Sequence, residues 1–191
     1  LPEAEQGGRG AAAGGQGLGH GSRATYAARS MRILFVCLGN ICRSPTSEGV
    51  MRHKLREAGL EEDVDVESAG TGGWHVGHPP DERASAAAAA RGIALESRAQ
   101  RFEREHFEDF DLIVAMDSQN LADMRALAPH AAAEGKLVML RDYDPEADGA
   151  LDGPDPYYGG EQGFEDVLDM VERSCDGLIA EILESRTAAG S

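Results

Sequence analysis

Apolar positions fall into short strand-like runs separated by stretches with helical spacing. Ile33-Leu34-Phe35-Val36-Cys37 is a continuous apolar run, the pattern of a strand buried on both faces. Residues 45–58 carry Val50, Met51, Leu55 and Ala58 at helical spacing, and Gly59 predicts the stop. Val64 to Glu67 alternates as a second strand. Asp81 to Arg91 is Ala-rich and helical, ended by Gly92. Asp111 to Met116 reads as a third strand, Ser118 to Leu127 as a helix with Ser118 as its N-cap, and Leu137 to Leu140 as a fourth strand. Residues 141–163 form a loop rich in Asp, Pro and Gly. The last helix runs from Phe164 to Ser185, with Val167, Leu168, Val171, Leu178, Ile179 and Ile182 on its apolar stripe. No internal repeat is present. Strands alternating with helices predict one α/β domain: an open sheet of four parallel strands with helices on both faces, flavodoxin-like or Rossmann-like.

Before Met31 the pattern disappears. Residues 1–30 hold 8 Gly and 7 Ala, with no apolar periodicity and no continuous apolar core of a secretory signal. Such a segment buries too little surface to offset its ordering entropy, so a disordered extension is expected. Its Ala, Arg and Ser content also fits the remnant of an organelle transit peptide, although Glu3 and Glu5 count against that. The domain itself is expected over 31–187, with 188–191 as a tail.

Charge narrows the function classes. The 191 residues carry 34 acidic and 18 Lys/Arg side chains, a net charge of −16. A nucleic-acid backbone or an anionic membrane repels such a chain, and no apolar run is long enough to span a bilayer. Neither nucleic acid nor membrane is expected as a partner. Three cysteines are too few for a disulfide scaffold, so a reducing compartment is expected.

The candidate chemistry starts where the first strand ends. Cys37-Leu38-Gly39-Asn40-Ile41-Cys42-Arg43-Ser44-Pro45 is C-x5-R-S at a strand-to-helix turn. Ligands of open parallel sheets bind at the carboxyl ends of the strands. Successive N–H groups of such a turn, with the helix N-terminus, form an anion nest. Gly39 and Asn40 tolerate the unusual backbone angles of a tight cradle. Pro45 suits the first helical turn, and Arg43 forks two hydrogen bonds onto phosphate oxygens. Cys37 opens the cradle, where the positive field favours a thiolate nucleophile. Taken alone, C-x5-R arises by chance and cysteine is often a small buried hydrophobe; strand, glycine, arginine and helix start together make it a site.

A phosphate-bound nucleophile needs an acid for the leaving group. Asp155 stands between Pro154 and Pro156, which stiffen its placement. Asp142, Asp144, Asp148 and Asp152 of the same loop read as ordinary turn aspartates. Tyr157 and Tyr158 are adjacent in a chain with only 5 Phe, 4 Tyr and 1 Trp, and they read as pocket walls, with Trp74 as a further wall. His75 and His78 read as loop residues, without metal-ligand spacing.

These motifs resemble the low-molecular-weight protein tyrosine phosphatases over residues 31 to about 185. The resemblance rests on Val36 to Pro45, Ser68-Ala69-Gly70-Thr71, Gly77-His78-Pro79-Pro80-Asp81, Phe110 to Asp117 and Asp155-Pro156-Tyr157-Tyr158-Gly159, in the family's order. It implies that Cys37 is the nucleophile, that Arg43 binds phosphate, and that Asp155 is general acid and then base. It implies a hydrogen-bond network of Asn40, Ser44 and Ser68 shaping the loop, with Leu38, Gly39, Ile41 and Cys42 completing it. Trp74, Tyr157 and Tyr158 would flank the substrate ring. No metal or cofactor is implied. The stretch around Asp155 is similar to members from photosynthetic lineages, which adds the plastid stroma as an alternative to a cytoplasmic location. Many members have a histidine joined to the loop network after the Ala-rich helix. The matching stretch here, Glu96-Ser97-Arg98-Ala99-Gln100-Arg101, has none.

The implied partners are phosphotyrosine-containing proteins, met by a monomer or weak homo-oligomer. Arsenate reductases share the cradle but need a resolving thiol, and no cysteine lies between Cys42 and Cys175, which reads as a core residue of the last helix. A non-catalytic phosphate-binding module needs a broken nucleophile or acid, and both are intact. Protein arginine phosphatases of the family resemble this chain except for Thr where Ile41 stands, and an apolar Ile suits a flat aromatic ring better than a guanidinium. Cys42 is either a partner for a protective Cys37–Cys42 disulfide under peroxide, or a small residue packing behind the loop.

Overall fold

A computed structural model of the chain describes residues 30–189. Of the Gly/Ala-rich extension 1–30, residues 1–29 lie outside the described residues, as do the last two residues of the chain. Strand β1 (Met31–Cys37) leads through a short loop into helix α1 (Arg43–Glu57), followed by β2 (Val64–Gly70) and α2 (Glu82–Ala90). A short helix α3 (His106–Asp109) precedes β3 (Leu112–Ala115), then come α4 (Ser118–Leu127), α5 (Ala131–Glu134), β4 (Leu137–Met139) and the long α6 (Glu161–Ala189). The four strands are all parallel, in the order β2-β1-β3-β4. The chain therefore steps from β1 to one neighbour, β2, and returns on the other side as β3. That reversal beside β1 is the topological switch point, where ligands of such sheets sit.

Alternation along β1 divides the core. Ile33, Phe35 and Cys37 face Val50, Met51 and Leu55 of α1 and Val167, Leu168, Val171 and Ile179 of α6. Leu34 and Val36 face Phe102, Phe107, Phe110 and Met124 on the other side. Both faces of this inner strand are dry, which is why its sequence reads as an unbroken apolar run. The apolar stripe expected for the last helix is buried, and Cys175 within it is wholly buried.

Element boundaries differ from the sequence reading where caps decide them. Asp117, not Ser118, caps α4: its side chain accepts from the Asn120 N–H at 2.7 Å. Helix α1 starts at Arg43, and α6 starts at Glu161, three residues earlier than its apolar stripe indicates. The short helices α3 and α5 have no apolar periodicity of their own. The segment 141–163 opens in a 3₁₀ turn (Leu140–Tyr143). Asp144 shapes a turn, accepting from the Glu146 N–H at 3.0 Å, and does more: its wholly buried carboxylate pairs with Arg173 at 2.9 Å and Arg141 at 3.4 Å, joining the segment to α6.

Candidate active site

The loop between β1 and α1 curls because one residue takes a left-handed conformation. Asn40 has φ = 54°, and Asn is among the few residues that accept this at small cost. The positive angle falls on Asn40 alone in this loop, not on Gly39. The loop backbone also lies against the end of β2. A Cβ on Gly70 would come within 2.8 Å of the Leu38 carbonyl oxygen and 3.0 Å of the Asn40 nitrogen, so only glycine fits. Cys42 occupies the N-cap position of α1 without a side-chain cap, so the N–H groups of its first turn keep their positive end for the loop.

Inside the curl, Cys37 Sγ lies 3.1 Å from Ser44 Oγ and accepts from the Asn40 N–H at 3.3 Å. The Asn40 side chain donates to Ser44 Oγ at 2.8 Å and to Ser68 Oγ at 2.9 Å, and its carbonyl oxygen accepts from the Gln100 N–H at 2.8 Å. The network expected of Asn40, Ser44 and Ser68 is thus assembled by the fold from two strands' ends. Glu48 extends it, accepting from Ser68 Oγ at 2.5 Å.

Arg43 is buried and held from three sides. It donates to Asp117 at 2.6 Å, to the Gly153 carbonyl at 3.0 Å and to Asp155 at 3.1 Å. Burial opposes its charge, but Cys37, Asp117 and Asp155 outweigh burial and hold the guanidinium charged more firmly than usual. The segment bearing Asp155 is fixed at its base. The Gly153 N–H donates to the Met116 carbonyl at 2.8 Å, and Asp152 accepts from the Ser118 N–H at 2.6 Å. Beyond Asp155, Arg83 donates to the Tyr157 carbonyl at 3.1 Å and lies over the Phe164 ring.

These groups surround an open cavity of about 270 Å³. Cys37 and Arg43 form its floor; Trp74, His75, Tyr157 and Tyr158 stand around its mouth. Trp74 is 72% exposed and Tyr158 95%, large aromatic surfaces left in water at the rim. Gly72 gives the indole its seat, since a Cβ there would fall 1.8 Å from the Trp74 ring. A cavity of about 370 Å³ at the opposite end of the sheet, between Met31, Val64, Leu112 and Ile182, is mainly apolar and far from this cluster.

Cys37, Arg43 and Asp155, chosen from widely separated motifs, converge on one cavity. So do Leu38, Gly39, Ile41, Cys42, Trp74, Tyr157 and Tyr158, while Ser44 and Ser68 lie just behind the loop. Cys42 is buried, and burial, Asp81 and Cys37 push its thiol up to about 12, so it is a neutral thiol at physiological pH. Sequence reasoning missed three neighbours. Asp117 grips Arg43, and its position just after a strand was the available signal. His75 lines the cavity, and Glu48 reaches the network from the second turn of α1 with no sequence signal beyond helical spacing.

Comparison with known proteins agrees with this geometry. The family described as low molecular weight phosphotyrosine protein phosphatase matches residues 32–188. A low molecular weight protein-tyrosine-phosphatase of Streptomyces coelicolor is 48% identical over 154 residues, covering 80% of this chain and 94% of the relative. The crystal structure of a protein tyrosine phosphatase from Entamoeba histolytica superposes with a TM-score of 0.79 at 37% identity, covering 82% of this chain and 99% of that one. A Drosophila arginine phosphatase gives a TM-score of 0.74 at 30% identity, covering 80% and 98%. A relative nearly half identical along almost its full length, and a match running from the first strand to the end of the last helix, place this chain in the low molecular weight protein-tyrosine-phosphatase family.

Proposed function

We propose that Cys37, Arg43 and Asp155 carry the protein-tyrosine-phosphatase reaction of this family member. The observation that carries the reading is the convergence of a buried sulfur, a buried guanidinium and a carboxylate on one cavity. The arriving phosphate monoester takes a hydrogen bond from Arg43, which frees the Asp155 carboxyl for the leaving oxygen. The Cys37 thiolate attacks phosphorus in line, and charge on the equatorial oxygens is met by loop N–H groups and Arg43. The bond from phosphorus to the phenolic oxygen breaks as Asp155 delivers its proton. A cysteinyl-phosphate remains. Asp155 then takes a proton from water, water oxygen attacks phosphorus, the sulfur–phosphorus bond breaks, and phosphate leaves.

Depth sets the substrate. Cys37 is 3% exposed at the cavity floor, below Trp74, Tyr157 and Tyr158. A phenyl ring spans that depth and a serine stem does not. We therefore read the substrates as phosphotyrosine-containing proteins. Purified protein is tested on phosphotyrosine, phosphoserine and phosphoarginine peptides side by side, and preference for phosphoserine overturns this reading.

Phosphoarginine is the rival, because an arginine phosphatase shares the fold. Ile41 lines the cavity and offers a guanidinium no acceptor. Ile41→Thr is expected to shift kcat/KM toward phosphoarginine peptides by roughly 10–100-fold, the worth of one hydrogen bond to a charged group. An unchanged ratio removes Ile41 as the discriminator.

Redox control follows from the same loop. Peroxide takes the Cys37 thiolate to a sulfenic acid. The Cys42 thiol then displaces hydroxide from that sulfur, giving a disulfide and water. Attack requires a thiolate, so the raised Cys42 thiol makes this step slow at neutral pH and faster as pH rises. After a brief peroxide pulse, thiol reductant is expected to restore more activity in wild type than in Cys42→Ser, and more so at pH 9 than at pH 7. Equal recovery, or no Cys37–Cys42 crosslink by mass spectrometry, leaves Cys42 a packing residue.

A cytoplasmic, reducing location fits the three free cysteines, and among the described residues no helix is long and apolar enough to cross a membrane. The plastid alternative rests on residues 1–30, of which all but Ser30 lie outside the described residues.

A further inference from the structure

Glu48 has no part in the reaction as written above, yet its carboxylate is buried beneath the phosphate loop, 4% exposed. From α1 it faces Arg52 of its own helix, Glu67 and Ser68 of β2, and Ser97 in the segment after α2. One oxygen accepts from Ser68 Oγ at 2.5 Å and the other pairs with Arg52 at 3.0 Å. Ser97, from within the stretch that lacks the histidine many relatives have, also favours the ionised carboxylate.

Counting protons gives this chain of contacts a direction. The Asn40 amide has two N–H groups, and both are spent: one on Ser44 Oγ, one on Ser68 Oγ. Its carbonyl is turned toward the Gln100 N–H, so the amide cannot reverse without facing donor against donor. Ser68 Oγ thus receives a proton from Asn40 and must give its own elsewhere. The Glu48 carboxylate is the acceptor it meets; ionised, both of its oxygens accept, one from Ser68 and one from Arg52, whereas a protonated carboxyl keeps one acceptor and turns the other position into a donor. Ser44 Oγ likewise receives from Asn40, which leaves its single proton for Cys37 Sγ at 3.1 Å or the Ala69 carbonyl at 3.2 Å.

We propose that Glu48, in its ionised form, is a positioning residue for the nucleophile: it is the terminal acceptor of a Glu48–Ser68–Asn40–Ser44 relay that keeps the Ser44 hydroxyl free to donate to the Cys37 thiolate. Protonated, or replaced by the amide of Gln, this side chain offers one acceptor and one donor; the Arg52 cation claims the acceptor, and the donor then faces Ser68. Ser68 then has a buried proton with no acceptor and turns from Asn40, the amide loses the partner that holds it, and the Ser44 hydroxyl is released from the sulfur. Burial pushes the Glu48 carboxyl upward while Ser68 and Arg52 pull it back, so the relay weakens on the acid side, where protons begin to occupy Glu48.

The inference rests on Cys37 as the nucleophile, and the test separates the two. The rate of Cys37 alkylation by iodoacetamide is followed against pH by peptide mass spectrometry in wild type, Glu48→Gln and Ser68→Ala. Simple charge removal and the relay predict opposite signs. Deleting a nearby negative charge makes a thiolate easier to form, so the pH midpoint of alkylation falls in Glu48→Gln. Loss of the relay removes a donor from the thiolate, so the midpoint rises, by about one pH unit, a tenfold loss of thiolate at fixed pH. Ser68→Ala changes no charge and is expected to give the same upward shift, and Glu48→Gln added to it gives no further shift. A midpoint that falls or stays in Glu48→Gln, or stays in Ser68→Ala, overturns the relay. Full turnover in wild type with Cys37 alkylated overturns the nucleophile instead, whatever the midpoints.

Discussion

Cys37→Ser is expected to abolish turnover while the protein still binds inorganic phosphate. The loss is expected to be on the order of 10⁶-fold in kcat, the scale measured when a serine-protease nucleophile is removed. A serine hydroxyl placed where Sγ sits is far less ionised than a thiol and has no general base at hand: its neighbour Ser44 Oγ is itself a hydroxyl. Binding survives because the groups that meet the anion are elsewhere. The left-handed angle at Asn40, the close seat on Gly70 and the grip of Asp117 and the Gly153 carbonyl on Arg43 remain, although Asn40 and Arg43 each lose the sulfur as a partner. Calorimetric titration with phosphate against turnover of an aryl phosphate separates the two. Turnover near wild type removes Cys37 as nucleophile; lost phosphate binding with the fold intact means the thiolate itself holds the cradle open.

Asp155→Asn is expected to slow substrates in proportion to how badly their leaving group needs a proton. With a phenol of ordinary acidity the loss is expected at about 10²–10⁴-fold, the usual worth of general acid catalysis. With a strongly acidic nitrophenol, which leaves as its anion, the loss is expected to be small. The amide keeps the shape and its oxygen still accepts from the Tyr157 N–H, so the loop keeps its local turn; only the contact with Arg43 is lost, where the amide NH2 would face another donor. The readout is the slope of log kcat/KM against leaving-group pKa, steeper in the mutant. Parallel losses for both substrates assign the proton to another group, and the half-exposed position of Asp155 makes solvent the first alternative.

Much of this was legible in one dimension because the physics involved is local or periodic. The unbroken apolar run of β1 announces a strand dry on both faces, and it is one of the two inner strands of the sheet. The stripe on α6 announces a helix laid on a core. The cradle was legible because its residues are consecutive: a strand end, an Asn that accepts a left-handed angle, an Arg and a helix start occupy positions 37–45. Asp155 was legible from the two prolines that flank it. Helix ends were less so, since Asp117 and Ser118 are both good caps and only the folded backbone chooses between them.

What the sequence by itself determined is the class of fold, and it also marked out the proposed nucleophile, anion cradle and acid, since each is written in neighbouring residues or in a period of two or 3.6. What only the tertiary structure decided is who stands behind them. Asp117 reaches Arg43 across 74 positions, Asp155 reaches it across 112, and Gln100 turns the Asn40 amide from 60 positions away. Glu48 looks in sequence like any polar residue of a helix, and its burial against Ser68 follows only from how α1 packs on β2. The reason is that a hydrogen bond depends on distance and direction in space. Spacing along the chain carries no information about either once the partners sit on different elements.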